Sequence, residues 1–194
     1  MSWYKKLCEY FPTEEMKSEE HINMLLKHDK KDYFLDEGKH HILLYAEKED
    51  FIFVDYLYVM SHARGNGTGK KVLDKLKMKG KTIFLEVEPV NESETDTEKR
   101  LRFYKREGFQ HANTVSYIKN SLATNEDVEL EILFWSPDPD SMMDHDDILI
   151  GMQEVYRELH TYKDEELYGG KYRPTEKALK IKENKLDILK EITS

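Results

Sequence analysis

The chain is poor in the features that mark secreted, membrane-spanning or nucleic-acid-binding proteins. It has a single cysteine, Cys8, in 194 residues, so no intramolecular disulfide can form and a reducing compartment is expected. Lying among Leu7, Tyr10 and Phe11, that thiol reads as a small core residue rather than a nucleophile. No apolar run is long enough to span a bilayer, and Met1–Lys6 lacks the apolar stretch of a signal peptide. Positive charge is in deficit, with 30 Lys and Arg against 39 Asp and Glu and a net charge of −9. That balance argues against general nucleic-acid binding, which needs a basic footprint. The eight histidines show no metal-ligand spacing: His40 and His41 are adjacent and face opposite ways in a strand, and Asp144-His145-Asp146-Asp147 reads as a solvated helix start. Repeats and low-complexity tracts are lacking too. The expectation is a soluble, cytoplasmic protein that uses no metal, nucleic acid or membrane.

Glycine is also scarce, at nine residues, yet three of them fall within five positions: Gly65, Gly67 and Gly69. Upstream, Phe51–Val59 is β-branched and aromatic almost throughout and reads as a buried strand. Downstream, Val72, Leu73 and Leu76 form one helical stripe. Strand, Gly-rich turn, helix is a phosphate-binding arrangement, because uncovered amides meet the positive end of a helix. A Walker loop fails on spacing, since Arg64 stands where its first glycine belongs, and a dinucleotide fingerprint is one residue short. From Arg64 to Lys81 there are seven Lys and Arg against Asp74 alone, a local +6 in an acidic chain.

The 39% apolar content supports a core, while 36% charged residues imply some solvated helix. Trp3, Leu7, Tyr10 and Phe11 repeat at helical spacing up to Pro12, and Thr13 with Glu14 and Glu15 reads as the start of a second helix buried through Ile22, Leu25 and Leu26. Three strands follow as a meander: Tyr33–Leu35, His41–Ala46 and 51–59. After the helix over roughly 67–79, Thr82–Glu88 is a strand parallel to 51–59 through a right-handed crossover. An acidic loop at 90–98 leads to a helix through Leu101, Phe103 and Tyr104 that ends at Gly108. Strands at 115–118 and 128–135 flank a loop at 119–127. Past Pro137–Asp140, Ile148, Met152, Val155, Tyr156 and Leu159 mark one helix, and Ala178, Leu179, Leu186, Leu189 and Ile192 support another.

With Arg64-x-x-Gly67-x-Gly69 behind the strand ending at Val59, this order resembles the GNAT superfamily of N-acetyltransferases, whose core motif is Gln/Arg-x-x-Gly-x-Gly/Ala. Leu101–Phe109 resembles the family's helix ending in Tyr-x-x-x-Gly-Phe, and Leu85-Glu86-Val87 its intervening strand. The resemblance covers about residues 1–135. It implies an α/β (α+β) acyl-CoA N-acyltransferase fold, a mixed, mostly antiparallel sheet with flanking helices, as a domain over 1–136. Residues 137–194 would be a C-terminal helical extension packed on that core. Two departures stand out. The strand that the family places before its first helix has no counterpart, and the cofactor-touching Asn of many members is replaced, counting back from Tyr104, by Thr97.

By resemblance, the substrates are acetyl-CoA and an amine, either a small molecule or a protein lysine or N-terminus; a homodimer is also open. Backbone groups of Leu57, Tyr58 and Val59 would hold the pantetheine and the acetyl carbonyl. Arg64, Gly65, Asn66, Gly67, Thr68, Gly69 and Lys70 would hold the pyrophosphate, with Thr97 also at the cofactor. Acetyl transfer needs a neutral nucleophile although an alkyl ammonium has a pKa of about 10, so a base is required, and the leaving thiolate needs a proton. Tyr104 matches the family's general acid. Glu86 matches the carboxylate that is the base in part of the family, its pKa expected to rise between Leu85 and Val87; Asp55 and Glu88 are the runners-up. Glu14, Glu15, Glu19, Glu20, Glu126 and Asp127 would make an acidic mouth suited to cationic amines. Two other functions are compatible with the same residues: a non-catalytic CoA-binding regulatory module, and an interaction protein working through its C-terminal helices.

Overall fold

The computed structural model describes residues 2–27, 32–89, 95–121, 124, 126–138, 144–170, 172–183 and 186–192. Among these residues eight strands form one sheet: β1 (Tyr33–Glu37), β2 (His41–Glu47), β3 (Phe51–Val59), β4 (Thr82–Val87), β5 (Gln110–His111), β6 (Val115–Asn120), β7 (Asp127–Trp135) and β8 (Leu179–Ile181). Their order is β1-β2-β3-β4-β7-β6-β8, with β5 also paired to β7. Among the described strands β3 and β4 make the parallel pair and every other pairing is antiparallel. The crossover between them is α3 (Thr68–Lys77), as its apolar stripe requires: Val72, Leu73 and Leu76 are buried. The first described strand is β1, after both N-terminal helices. No helix among the described residues is long and apolar enough to cross a membrane.

The sheet carries a core on each face. Strand β3 shows the alternation, with Phe51, Phe53 and Tyr56 in one cluster and Ile52, Val54 and Leu57 in the other. On the first face lie α1 (Trp3–Cys8), α2 (Glu19–Leu26) and α5 (His145–Val155); on the second lie α3, α4 (Thr95–Arg106) and the short α6 (Ile188–Glu191). Leu7 is fully buried and Cys8 is exposed. The cysteine expected in the core sits one step, about 100°, round the helix from the stripe that reaches it.

Three more local readings need correction. Thr13–Glu15 forms only a 3-10 turn, and the second helix starts at Ser18, whose hydroxyl accepts from the His21 amide at 3.1 Å. The chain is extended between them because Lys17 turns inward onto Asp55, at 2.7 and 2.9 Å from its two oxygens. Residues 95–98, expected in an acidic loop, already belong to α4, with i,i+3 and i,i+4 pairs Asp96–Lys99 and Glu98–Arg102; the rest of that loop, 90–94, lies outside the described residues. Finally, the tail is mostly helical but Leu179–Ile181 is a strand on the edge of β6, opposite Val115–Tyr117. A free sheet edge offers backbone partners that a continuous helix would forgo. Ile148, Met152, Val155 and Leu159 do form the expected buried stripe.

Candidate active site

The site arises where the parallel pair separates. Register between β3 and β4 runs from Phe51↔Thr82 to Val54↔Leu85 and stops, although β3 continues to Val59 against β2. At the same point Leu44 pairs with Tyr56 and Tyr45 with Val54, which leaves Asp55 as the extra residue of a β-bulge. A bulge bends its strand, and here it turns Leu57–Val59 away from β4. One edge of those residues is thereby left open.

The turn after β3 closes this opening at one end. Gly65 and Gly67 have φ of 80° and 74°, a region that costs other residues roughly 1–2 kcal/mol. Gly67 caps α3 with no side-chain hydrogen bond, so the first-turn amides stay available and the helix's positive end is unfilled. A Cβ on Gly69 would lie 3.0 Å from Phe103 Cζ, so this glycine lets α3 approach α4. Arg64 is held by a hydrogen bond from Nε to the Val59 carbonyl, 3.0 Å, and by its guanidinium 4.6 Å over the Tyr10 ring.

Together these elements enclose a cavity of about 430 Å³. Leu57, Val59, Arg64, Gly65, Gly67, Thr68, Gly69 and Lys70 all line it. Of the expected set, Tyr58 instead packs against Tyr10 at 5.1 Å, and Asn66 is exposed outside the lining. The basic wall differs from the run of lysines in the sequence. Lys75, Lys77, Lys79 and Lys81 pair with Asp36, Glu107 and Glu47 outside the lining or at its edge. Helix α4 brings Lys99, Arg100 and Arg106 to the wall, where Lys99 pairs with Asp96, Arg100 with Glu88 and Lys70 with Asp74 and Glu107.

A second cavity, about 80 Å³, lies past the end of β4. Leu57, Arg100 and Tyr104 line both spaces. Tyr104 is 9% exposed, and burial pushes its hydroxyl up to about 12, so at neutral pH it keeps its proton. Thr97 faces the second cavity rather than the first, donating to Glu88 Oε2 at 3.3 Å.

Four carboxylates line the second cavity, in different electrical states. Asp55 is tied to Lys17 and receives the Tyr33 hydroxyl at 2.6 Å; burial alone would raise its pKa, and Lys17 reverses that to a net lowering. Burial would also raise Glu86, but His160 at 2.7 Å from Oε1 and Lys119 at 2.9 Å from Oε2 hold it well below the usual carboxylate range. The expected rise therefore does not occur, because both oxygens already have donors. His160 is itself lowered by burial, and its Nε2 is the donor because an ionised Glu86 oxygen can only accept. Glu88 accepts from Thr97 and from Arg100 Nη2 at 3.3 Å. Glu15 differs: burial and the neighbouring Glu88 raise it to about 8, and its Oε1 is buried with no hydrogen-bond partner. Its backbone is fixed by the Tyr56 hydroxyl, which donates to the Glu15 carbonyl and accepts from the Lys17 amide, both at 2.9 Å.

Of the acidic mouth only Glu15 lines this cavity; Glu14, Glu19, Glu20 and Glu126 are exposed, and Asp127 is paired with Arg173. Lys17, Lys119 and His160 carried no sequence signal, since each acts through a partner 33 to 74 residues away. His160 comes from the C-terminal extension, in a π-helical turn at Tyr156–His160. Such turns rotate a side chain out of α-helical phase.

No protein-family model matches the chain. It is 56% identical over 181 residues to the "Putative acetyltransferase YjbC" of Bacillus subtilis (strain 168), with 93% of each chain covered. Among solved structures it is similar to the "Putative acetyltransferase from GNAT family" of Bacteroides thetaiotaomicron, with a TM-score of 0.62 and 21% identity over 87% of this chain and 90% of that one. At that identity the second likeness is one of fold.

Proposed function

The chain belongs to the GNAT acetyltransferase family, and on that footing we propose that it is an acetyl-CoA-dependent N-acetyltransferase acting on a primary amine of a small molecule, a protein lysine or a protein N-terminus. One observation carries the reading: two cavities meet at Tyr104, one lined by the Gly-rich turn and mostly basic side chains, the other by four carboxylates with Lys119, and Arg100 reaches both. Open amides at a helix N-terminus suit a pyrophosphate, so Arg64–Lys70, with Asn66 at the rim, would hold that part of CoA. The open edge of Leu57–Val59 would hydrogen-bond the pantetheine as an added strand does. The acceptor enters from the other side.

Attack of the amine on the acetyl carbonyl forms a C–N bond, and collapse of the tetrahedral intermediate breaks the C–S bond. Tyr104 supplies the proton that the departing thiolate takes up. Thr97 reaches this centre through Glu88 instead of through the cofactor groove. Glu86, with donors on both oxygens, supports the acceptor end by its charge and is a weak proton acceptor. Residues 1–136 would form the catalytic unit and 137–194 an extension that completes the acceptor wall through His160. A lone cysteine fits the reducing cytoplasm.

The test is CoA release from acetyl-CoA and longer acyl-CoAs against a broad amine panel. Transfer to at least one primary amine is expected. Acetyl-CoA binding with no CoA release on any amine would favour a non-catalytic CoA-binding module.

A further inference from the structure

We infer that Glu15, set beside Glu88 at the acceptor end of the site, is the group that takes the proton from the incoming ammonium. The inference rests on the N-acetyltransferase reading and adds to it the base and the charge state of the acceptor.

Position is the first argument. Glu15 lines the cavity that shares Tyr104 with the cofactor groove, so a nitrogen held there lies between proton acceptor and proton donor. Availability is the second. Both Asp55 oxygens and both Glu86 oxygens are occupied by Lys17, Tyr33, Lys119 and His160, and Glu88 Oε2 accepts from Thr97 and Arg100. Among these four carboxylates, the buried oxygen without a hydrogen-bond partner is Glu15 Oε1. Such an oxygen costs stability unless something fills its place, and an N–H of an ammonium would do so. The third argument is the pairing itself. Two close carboxyls cannot both ionise easily, and the shared proton belongs on Glu15 because Glu88 already has its donors.

Every element packed here contributes to the balance. Glu88 from β4 raises Glu15, while Arg100 from α4 and Lys119 from β6 oppose that rise. Asp55 and Tyr56 from β3, Glu86 from β4 and Tyr104 from α4 complete the lining. An alkylammonium is taken up by the form of the pair in which Glu15 has already lost its proton to solvent, the form populated above about pH 8. Ionised Glu15 then removes one proton from R–NH3+, and the freed lone pair attacks the acetyl carbon. As the C–S bond breaks, the thiolate takes the Tyr104 proton. The second N–H proton of the intermediate returns to Tyr104, and Glu15 releases its own to solvent. The sum is amide, CoA thiol and one proton.

The experiment is the pH dependence of kcat/KM with acetyl-CoA and a panel running from n-butylamine to spermidine and a lysine-containing peptide. Wild type should show a rising limb with an apparent pKa near 8. Glu15→Gln should abolish that limb and lower kcat/KM by about 10²- to 10⁴-fold, with acetyl-CoA Kd unchanged. Glu88→Gln should move the limb to lower pH, because the neighbouring negative charge is removed. Melting temperature gives an independent readout. Glu15→Gln imitates the protonated carboxyl, so it should raise Tm at pH 9 and leave it near the wild-type value at pH 5. An active enzyme in which Glu15→Gln keeps the limb, or in which only Glu86→Gln removes it, overturns the assignment to Glu15. Silence of the wild type on every amine overturns the transferase reading itself and the base with it.

Discussion

Tyr104 shows how far one residue can be read and where reading stops. Its place in Tyr-x-x-x-Gly-Phe was visible in the sequence, and so was its role by resemblance. That it lines both cavities depends on how α4 crosses the split between β3 and β4. Tyr104→Phe removes one hydroxyl from a buried ring. We expect kcat to fall by about 10²-fold or more, as for loss of a general acid, with acetyl-CoA affinity within about twofold; stopped assays and isothermal titration check the two halves. Lys17 offers the contrasting case. Its sequence neighbours gave no reason to bury it, yet its side chain is 3% exposed and paired with Asp55 at 4%. Lys17→Met leaves that carboxylate buried with one donor group fewer and should destabilise the fold by about 3–5 kcal/mol, measured by urea denaturation. Asp55→Asn added to it should recover part of the loss.

Among the elements, the Gly-rich turn was the most legible, because glycine spacing and helix periodicity are both local. Gly69→Ala places a methyl 3.0 Å from the Phe103 ring. Phe103 must shift and α3 must tilt, so acetyl-CoA binding should weaken by about tenfold, roughly 1.4 kcal/mol, with a smaller effect on Tm. Isothermal titration gives the answer, and unchanged affinity would show that the amides do not depend on that close approach. The N-terminal segment was less legible. Thr13 has the residues of a helix start behind it, but the tertiary pull of Asp55 on Lys17 and the Tyr56 hydroxyl bridge hold residues 13–17 in place. Those contacts present Glu15 to the cavity, and a longer helix would have turned it elsewhere. Likewise, Leu179 has a partner in a helical stripe on paper and a strand partner, Tyr117, in the fold.

The whole molecule responds to pH through groups that no local pattern singles out. Burial lowers His21 to about 3 from an ordinary 6.5, so the unfolded chain takes that proton first and stability falls as pH drops from 6.5 toward 3. Glu15 is raised to about 8 from 4.5, so the unfolded chain loses that proton first and stability falls as pH rises from 4.5 to 8. Between 4.5 and 6.5 the two slopes oppose each other. His160, lowered by burial as well, adds to the acid-side slope, so Tm should rise with pH up to about 6.5 and decline from there toward 8; His21→Gln should make the acid side shallower and Glu15→Gln should remove the basic decline. The extension is part of the same unit. Ile148, Met152, Val155 and Leu159 fill one core and Ile188, Leu189 and Ile192 the other. Truncation after Asp138 should abolish cooperative melting, seen by calorimetry, so a tail deletion cannot separate an interaction role from catalysis.

The chain's local chemistry was enough to set the strand–turn–helix at 51–77, the helix carrying Tyr104, the parallel crossover and the family resemblance. Periodicity, glycine and motif spacing act over a few residues and survive any global arrangement. The acidity of each carboxylate was beyond it. Glu86 and Glu15 are both glutamates in mixed surroundings by sequence, and they end on opposite sides of the ordinary value. The cause is three-dimensional: His160 and Lys119 converge on one from 74 and 33 residues away, while the other meets a second carboxyl in a space sheltered from water. Charge acts through space and burial, and only the folded chain fixes both.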